Sequence, residues 1–210
     1  MRLKDILLLR PVKWSLIILA AVFIGIFIGQ FITSYETRYL FNREYCGSYK
    51  GIDVYKCGEI NKENATAHLR LLETVPDSLA ESCSAIYLTG GSLSVPVIGE
   101  EDGKALGLTQ NTTTYISTDT FGIDVLYHEL FHCYDNAKGK LSESEEFLAL
   151  AGKEGGYFYL EGYDESSHPA EIFASAGAMY MLEPEHLLYE APEIYAFIDE
   201  RIGLTGEQHG

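Results

Sequence analysis

Residues 128–132 read His-Glu-Leu-Phe-His, a spacing that could hold a metal ion and use it for catalysis. If this segment is helical, His128 and His132 share one face and both imidazoles can reach one ion. Neutral imidazole is a common zinc ligand, and Glu129 can act as a base on a bound water without being a ligand. Because zinc lowers the pKa of a bound water and polarises a carbonyl, the pattern indicates peptide-bond hydrolysis.

The surrounding sequence predicts that this motif lies on a helix. Thr118, Asp119 and Thr120 offer N-cap side chains upstream, and Lys138–Gly139 is typical of a last helical turn followed by a glycine. Between them lie apolar residues with helical spacing: Phe121, Val125, Leu126, Leu130 and Phe131. The alternative, a core helix with two surface histidines, is less favoured because the chain contains the other parts that a metal site needs.

A catalytic zinc site needs a third protein ligand besides the two histidines. The downstream candidates are Asp164, His168 and Glu171. Glu171 is favoured over the other two because it falls in the first turn of a helix predicted to begin near Pro169. Small residues share its helical face and would let this helix approach the motif helix: Ala174, Ser175 and Ala178.

Two segments, His128–Asp135 (HELFHCYD) and Glu171–Ala176 (EIFASA), resemble the catalytic domain of the anthrax lethal factor group, which includes the Pro-Pro endopeptidases. The resemblance covers residues 83–183. It implies a zincin-like metallopeptidase domain in which His128, His132 and Glu171 bind zinc and Glu129 is the base. The two motifs are specific for a zinc peptidase and indicate little about its substrate.

The same group uses a tyrosine shortly before the third ligand to stabilise the oxyanion. The equivalent spacing falls on Asp164 here, and Tyr163 lies one residue away. Tyr163 is therefore our candidate for a second catalytic residue, and the alternative is a surface or packing tyrosine. Asp135, three residues after His132, is predicted to accept the imidazole N–H of that histidine, with a solvated aspartate as the alternative.

The N-terminal residues form a separate segment of the chain. Residues 14–35 contain no charged side chain and are about as long as a helix needs to cross a bilayer. Four Lys or Arg residues precede this stretch, so the positive-inside rule places residues 1–13 in the cytoplasm and the rest of the chain outside the cell. A cleaved signal peptide is the alternative to a single-pass anchor.

Four cysteines follow the apolar stretch, as expected of a domain in an oxidising compartment. Cys46 and Cys57 flank a possible hairpin turn, so we expect them to form a local disulfide, which leaves Cys83 to pair with Cys133. The alternative for Cys133 is a small buried residue beside the second histidine.

Length and composition fit one globular domain with appendages. The chain has 210 residues, of which 47% are hydrophobic, and its net charge of −16 argues against nucleic-acid binding. The partners that we expect are a peptide or protein substrate and, through the N-terminal helix, a membrane.

The predicted architecture is α+β, with a small antiparallel sheet packed on helices and preceded by one transmembrane helix. A zinc metallopeptidase domain spans residues 61–203, between a juxtamembrane segment at 36–60 and a flexible tail at 204–210. We expect helices at 61–75, 118–138, 142–150 and 169–182, and one or two more within 184–202. We expect strands at 85–89, 106–108 and 113–117, the last two joined by a turn at Asn111.

These observations together predict a membrane-anchored, extracellular zinc metalloendopeptidase. One alternative is a catalytically inactive binding or regulatory module with the same fold, but such a protein would be expected to lack Glu129. Another is a zinc hydrolase that does not act on proteins, which assays on peptides and on small esters and amides would distinguish.

Overall fold

The computed structural model describes residues 42–91, 93–95, 103–158 and 169–203. The chain divides after Arg43 into two units, and the fold described here is that of Glu44–Gly210. The predicted membrane segment at 14–35, the tail, and the site candidates Tyr163, Asp164 and His168 lie outside the described residues. Within the described ranges, every helix is too short or too polar to serve as a membrane span.

Within the described part of the chain, seven strands form two sheets. The larger sheet has the order β1-β2-β3-β7-β6, and β4 pairs with β5 in a separate two-stranded sheet. The strands are β1 (Arg43–Tyr49), β2 (Ile52–Cys57), β3 (Ala85–Thr89), β4 (Leu93–Val95), β5 (Gly103–Ala105), β6 (Gly107–Gln110) and β7 (Thr113–Ser117). The sheet therefore includes β1 and β2, which come from the segment upstream of residue 61.

The described residues also form seven helices and two 3-10 turns. The helices are α1 (Lys62–Leu72), α2 (Asp77–Ala80), α3 (Ile123–Ala137), α4 (Glu145–Glu154), α5 (Pro169–Leu182), α6 (Pro184–Glu190) and α7 (Pro192–Ile202). The 3-10 turns are Leu141–Glu143 and Gly155–Phe158. The α+β prediction is confirmed, with α3 packed against β6 and β7 and with α5 packed against α3.

The larger sheet is mixed, so the predicted antiparallel sheet is wrong in part. β2 runs parallel to β3, and β3 runs parallel to β7, while β6 and β7 are antiparallel. The chain between β2 and β3 passes through α1 and α2, and such a crossover returns the second strand in the same direction as the first. The hairpin of β6 and β7 turns at Asn111, where the sequence predicted a turn.

The motif helix α3 starts later than predicted. Its N-cap is Gly122. The residues expected to cap the helix lie in the loop before it, where two of them form hydrogen bonds with other segments. The Thr118 hydroxyl accepts a hydrogen bond from the Asn61 N–H, and the Asp119 carboxylate accepts one from the Gly91 N–H. The helix ends as predicted at Lys138 and Gly139, whose φ of 81° only glycine adopts readily.

Neither predicted disulfide is present. Cys46 is an exposed thiol on β1, whereas Cys57 is buried at the end of β2. The two strands are joined by Lys50 and Gly51, both at positive φ. Tyr45 packs on Tyr55 and Glu44 forms an ion pair with Lys56, so Cys46 and Cys57 lie on opposite sides of these cross-strand contacts and are not neighbours that a disulfide could join.

Cys83 and Cys133 are also thiols, and they lie close enough that the Cys133 side chain, together with burial, raises the pKa of the Cys83 thiol. Cys133 is fully buried on α3, as the alternative interpretation of this residue stated.

Candidate metal centre

Three side chains converge where α3 and α5 face each other. His128 Nε2 lies 3.0 Å from His132 Nε2 and 3.2 Å from Glu171 Oε2. His132 Nε2 lies 3.5 Å from Glu171 Oε1. The two histidines come from successive turns of α3, and Glu171 comes from the first turn of α5. Within the described residues this is the one group of His, Cys, Asp or Glu side chains with the geometry to hold a metal ion.

The spacing of these atoms fits a zinc ion. A tetrahedral site with metal–ligand bonds of about 2.0–2.1 Å has ligand-to-ligand edges of about 3.3–3.4 Å. The three observed distances of 3.0, 3.2 and 3.5 Å bracket that value. Two imidazoles and one carboxylate are also the donor set of many catalytic zinc sites, which keep a fourth position for water. The residues present therefore fit the metal that the motif implies.

The charges of these groups favour a cation at the centre. Burial opposes ionisation of Glu171, but hydrogen bonds and charge from His128 and His132 outweigh it and lower the pKa of this carboxyl far below its usual range. Burial also opposes a charge on His132, yet the hydrogen bond and charge of Glu171 raise the pKa of that imidazole. The carboxylate thus stabilises positive charge beside it, which a bound metal ion would supply.

Glu129 lies next to the centre without belonging to it. It is buried, with only 6% of its surface exposed, and its carboxylate accepts a hydrogen bond of 2.7 Å from the Thr109 hydroxyl. Burial raises the pKa of Glu129, although His132, His128 and the Thr109 hydroxyl act in the opposite direction. A buried carboxylate with a raised pKa is suited to accept and return a proton near neutral pH.

Close helix packing brings Glu171 to the histidines. A Cβ atom on Gly177 of α5 would overlap the ring of Phe131 on α3, so a glycine is needed where the two helices touch. Ala174 and Ala178 on α5 are buried, and they are among the small residues predicted to allow this approach. The sequence did not indicate Gly177 itself, because its role depends on where the Phe131 ring falls.

Two further predicted residues lie near the histidines. The Ser175 hydroxyl is 3.4 Å from His128 Nδ1, a contact that leaves Nε2 of the same ring facing the centre. Asp135 is buried beside His132 and helps to raise its pKa, but both of its carboxylate oxygens accept hydrogen bonds from Ser142, at 2.8 Å from the N–H and 2.6 Å from the hydroxyl. Direct support of His132 by Asp135 stays a prediction.

The residues that sequence reasoning missed lie on β6. Thr109 contacts the Glu129 side chain, and Gly107 lies so close that a Cβ atom there would be 2.5 Å from Glu129 Oε1. No motif marks these two positions. They reach Glu129 only because β6 pairs with β7 and lies against α3.

No family model matches the chain, and no curated protein matches it. Among solved structures, the chain is similar to the Pro-Pro endopeptidase PPEP-2 from Paenibacillus alvei, with a TM-score of 0.57 at 20% sequence identity. The match covers 72% of this chain and 97% of that one. The chain is therefore similar in fold to that Pro-Pro endopeptidase.

Proposed function

We propose that this protein is a zinc-dependent metalloendopeptidase that is anchored in the cell membrane and carries its catalytic domain outside the cell. The observation that supports this proposal most is the convergence of His128, His132 and Glu171, whose ligand atoms are spaced as around a zinc ion. The buried carboxylate of Glu129 belongs to the residue that follows His128. The similarity to the fold of a Pro-Pro endopeptidase supports a peptide substrate.

In this proposal His128, His132 and Glu171 hold the metal. Zinc, when bound, supplies the positive charge that polarises the scissile carbonyl and acidifies water. Glu129 acts as the general base through Oε1, the carboxylate oxygen that the hydroxyl of Thr109 does not engage. It accepts a proton from the attacking water and returns it to the leaving amine. Tyr163 remains the proposed donor to the oxyanion.

The outer edge of β6 is a suitable place for the substrate backbone. β6 is the edge strand on one side of the larger sheet, and it packs against α3, the helix that carries Glu129. An extended peptide can add to such an edge by main-chain hydrogen bonds. A peptide paired with β6 would run past Glu129 because Gly107 and Thr109, which contact this residue, belong to the same strand.

The proposed location rests on the sequence alone. Residues 14–35 are uncharged and follow four positive charges, which favours a cytoplasmic N-terminus. The catalytic domain would then meet its substrates at the outer surface of the membrane.

A peptide-library digest with the purified full-length protein tests the proposed activity. We expect cleavage of internal peptide bonds, loss of cleavage after treatment with a chelator, and recovery on addition of zinc. Cleavage that persists in the fully demetallated protein would contradict the zinc mechanism. Hydrolysis of small esters or amides without cleavage of any peptide would identify the protein as a different kind of zinc hydrolase.

A further inference from the structure

The carboxylate of Glu129 is held from one side by strand β6. Gly107 and Thr109 are alternate residues of this strand, so they lie on the same face of the sheet, which here is the face that meets α3. Thr109 Oγ1 lies 2.7 Å from Glu129 Oε2 and 3.0 Å from the Glu129 backbone carbonyl. Gly107 closes the space beside Oε1, because a Cβ atom there would lie 2.5 Å from that oxygen.

The number of hydrogens on each group determines which partner donates in the hydrogen bonds around Thr109. A hydroxyl has one hydrogen, and an ionised carboxylate only accepts, so Thr109 donates to Glu129. Thr109 Oγ1 is also 2.9 Å from Thr114 Oγ1, and Thr114 must be the donor in that contact. The Thr114 oxygen lies 3.2 Å from Cys133 Sγ, so the thiol donates to it.

These contacts form a chain of donors that ends on the carboxylate. It runs from Cys133 on α3 to Thr114 on β7, then to Thr109 on β6, and back to Glu129 on α3. Thr114 is fully buried and Glu129 nearly so, which strengthens these hydrogen bonds and raises the cost of removing one partner. The chain lies on the sheet side of α3, whereas the histidines face α5.

We propose that Thr109 is a positioning residue for the general base: its hydroxyl, held by Thr114, fixes the rotamer of Glu129 so that Oε1 faces the reacting water. This inference rests on the proposed peptidase function. Among the described residues, the Thr109 hydroxyl bonds to Thr114 and Glu129 and not to the proposed metal ligands, and by this proposal it does not touch the substrate's reacting atoms. It acts through Glu129, whose misplacement by a fraction of an ångström lowers the rate of a proton transfer.

Thr109→Val tests this role because valine keeps the shape of threonine and removes the hydroxyl. We expect kcat to fall by roughly 10–100-fold, the range typical of residues that orient an active-site group, with little change in KM and with full zinc content. Thr109→Ser restores the hydroxyl, and we expect it to retain kcat within about threefold of the wild-type value.

Thr113→Val is the matched control. Thr113 is the neighbour of Thr114 on β7 and faces the opposite side of the sheet, where its hydroxyl lies 3.4 Å from Ser84 Oγ. This variant should keep the wild-type kcat. The proposal is overturned if Thr109→Val keeps the wild-type kcat, if Thr109→Ser is impaired as much as Thr109→Val, if Thr109→Val loses zinc, or if the control is impaired equally.

A crystal structure of Thr109→Val provides a readout that does not depend on activity. We expect the Glu129 carboxylate to leave the position seen beside Gly107 or to occupy more than one rotamer. If the wild-type protein cleaves no peptide, the proposed function fails, and this structure still decides whether Thr109 holds Glu129. An unmoved, single Glu129 rotamer in the valine variant would overturn the proposal.

Discussion

Single residues determine whether a metal binds at this centre. The geometry of one helix brings the side chains of His128 and His132 together, because residues four apart share a face. The position of Glu171 relative to them depends instead on how α5 packs against α3. The charge of Glu171 is nevertheless matched to the site, since the histidines lower the pKa of this carboxyl. The sequence proposed all three as ligands, the histidines from their spacing and Glu171 from its place in the first turn of a predicted helix, and the structure brings their side chains together.

Glu171→Ala should remove a ligand and lower zinc affinity by more than about 100-fold, the upper end of what loss of a supporting residue costs. Ser175→Ala is the matched comparison, because Ser175 lies on the same helix and contacts His128 without being a ligand. We expect this variant to lose only about 10-fold. Zinc titration against a competing chelator measures both affinities, and equal losses would argue against Glu171 as a ligand.

His68 is a second residue with a defined physical consequence. It lies on α1 with 2% of its surface exposed, packs against the Phe121 ring at 4.9 Å between centroids, and has no hydrogen-bond partner for either ring nitrogen among the described residues. Burial lowers the pKa of His68 to about 4. Above the usual histidine pKa the ring is neutral in both the folded and unfolded states, so it contributes nothing to the pH dependence of stability.

The free energy of unfolding should fall as the pH is lowered from about 6.5, where the unfolded chain begins to bind a proton that the folded chain excludes. The loss should level off near pH 4, where the folded His68 also titrates. Denaturant titrations of the wild type and of His68→Leu across this window measure the effect. The wild type should lose more stability than the variant, and parallel curves would contradict the assignment.

The elements show where sequence patterns suffice and where they fail. α5 has its predicted bounds because Pro169 starts it and an apolar run continues it. The predicted start of α3 was wrong because Thr118 and Asp119 form hydrogen bonds with segments distant in sequence, and no local pattern reveals such bonds. The short strands β4 and β5 were not among the predicted strands. The contact of Thr109 with Glu129 depends on the pairing of β6 and β7 and on their packing against α3, so no spacing within the sequence could indicate it.

Gly177→Ala should push α5 away from α3, because a Cβ atom at this position overlaps the Phe131 ring. We expect a loss of about 1–3 kcal/mol in the free energy of unfolding, as for other overpacked cores. Zinc affinity should fall as well, since the same displacement moves Glu171 from the histidines.

Gly152→Ala is the control for Gly177→Ala. Gly152 lies within α4, and a Cβ atom there would meet nothing within 4 Å. Alanine should therefore stabilise this helix by about 0.5–1 kcal/mol and leave zinc binding unchanged. Thermal unfolding and zinc titration on both variants measure the difference. A Gly177→Ala protein with wild-type stability and affinity would show that the helices can separate without harm.

For the whole molecule, the proposed topology places the acidic catalytic domain outside the cell. Intact cells treated with an external protease should then lose the domain and keep the N-terminal stub. Cells permeabilised before the treatment show that the protease can reach both parts. Protection of the domain in intact cells would reverse the proposed orientation and would favour reduced thiols at Cys83 and Cys133.

The proposal that zinc and Glu129 together hydrolyse peptides is tested most directly by Glu129→Gln. Glutamine keeps the size of the side chain and removes its basicity, and Glu129 is not among the three ligands. Zinc content and peptide cleavage are measured on the same sample, beside Glu145→Gln, an exposed glutamate at the start of α4, as the control. We expect full zinc content in all three proteins and cleavage in the wild type and the control only. Wild-type cleavage by zinc-loaded Glu129→Gln would contradict the mechanism.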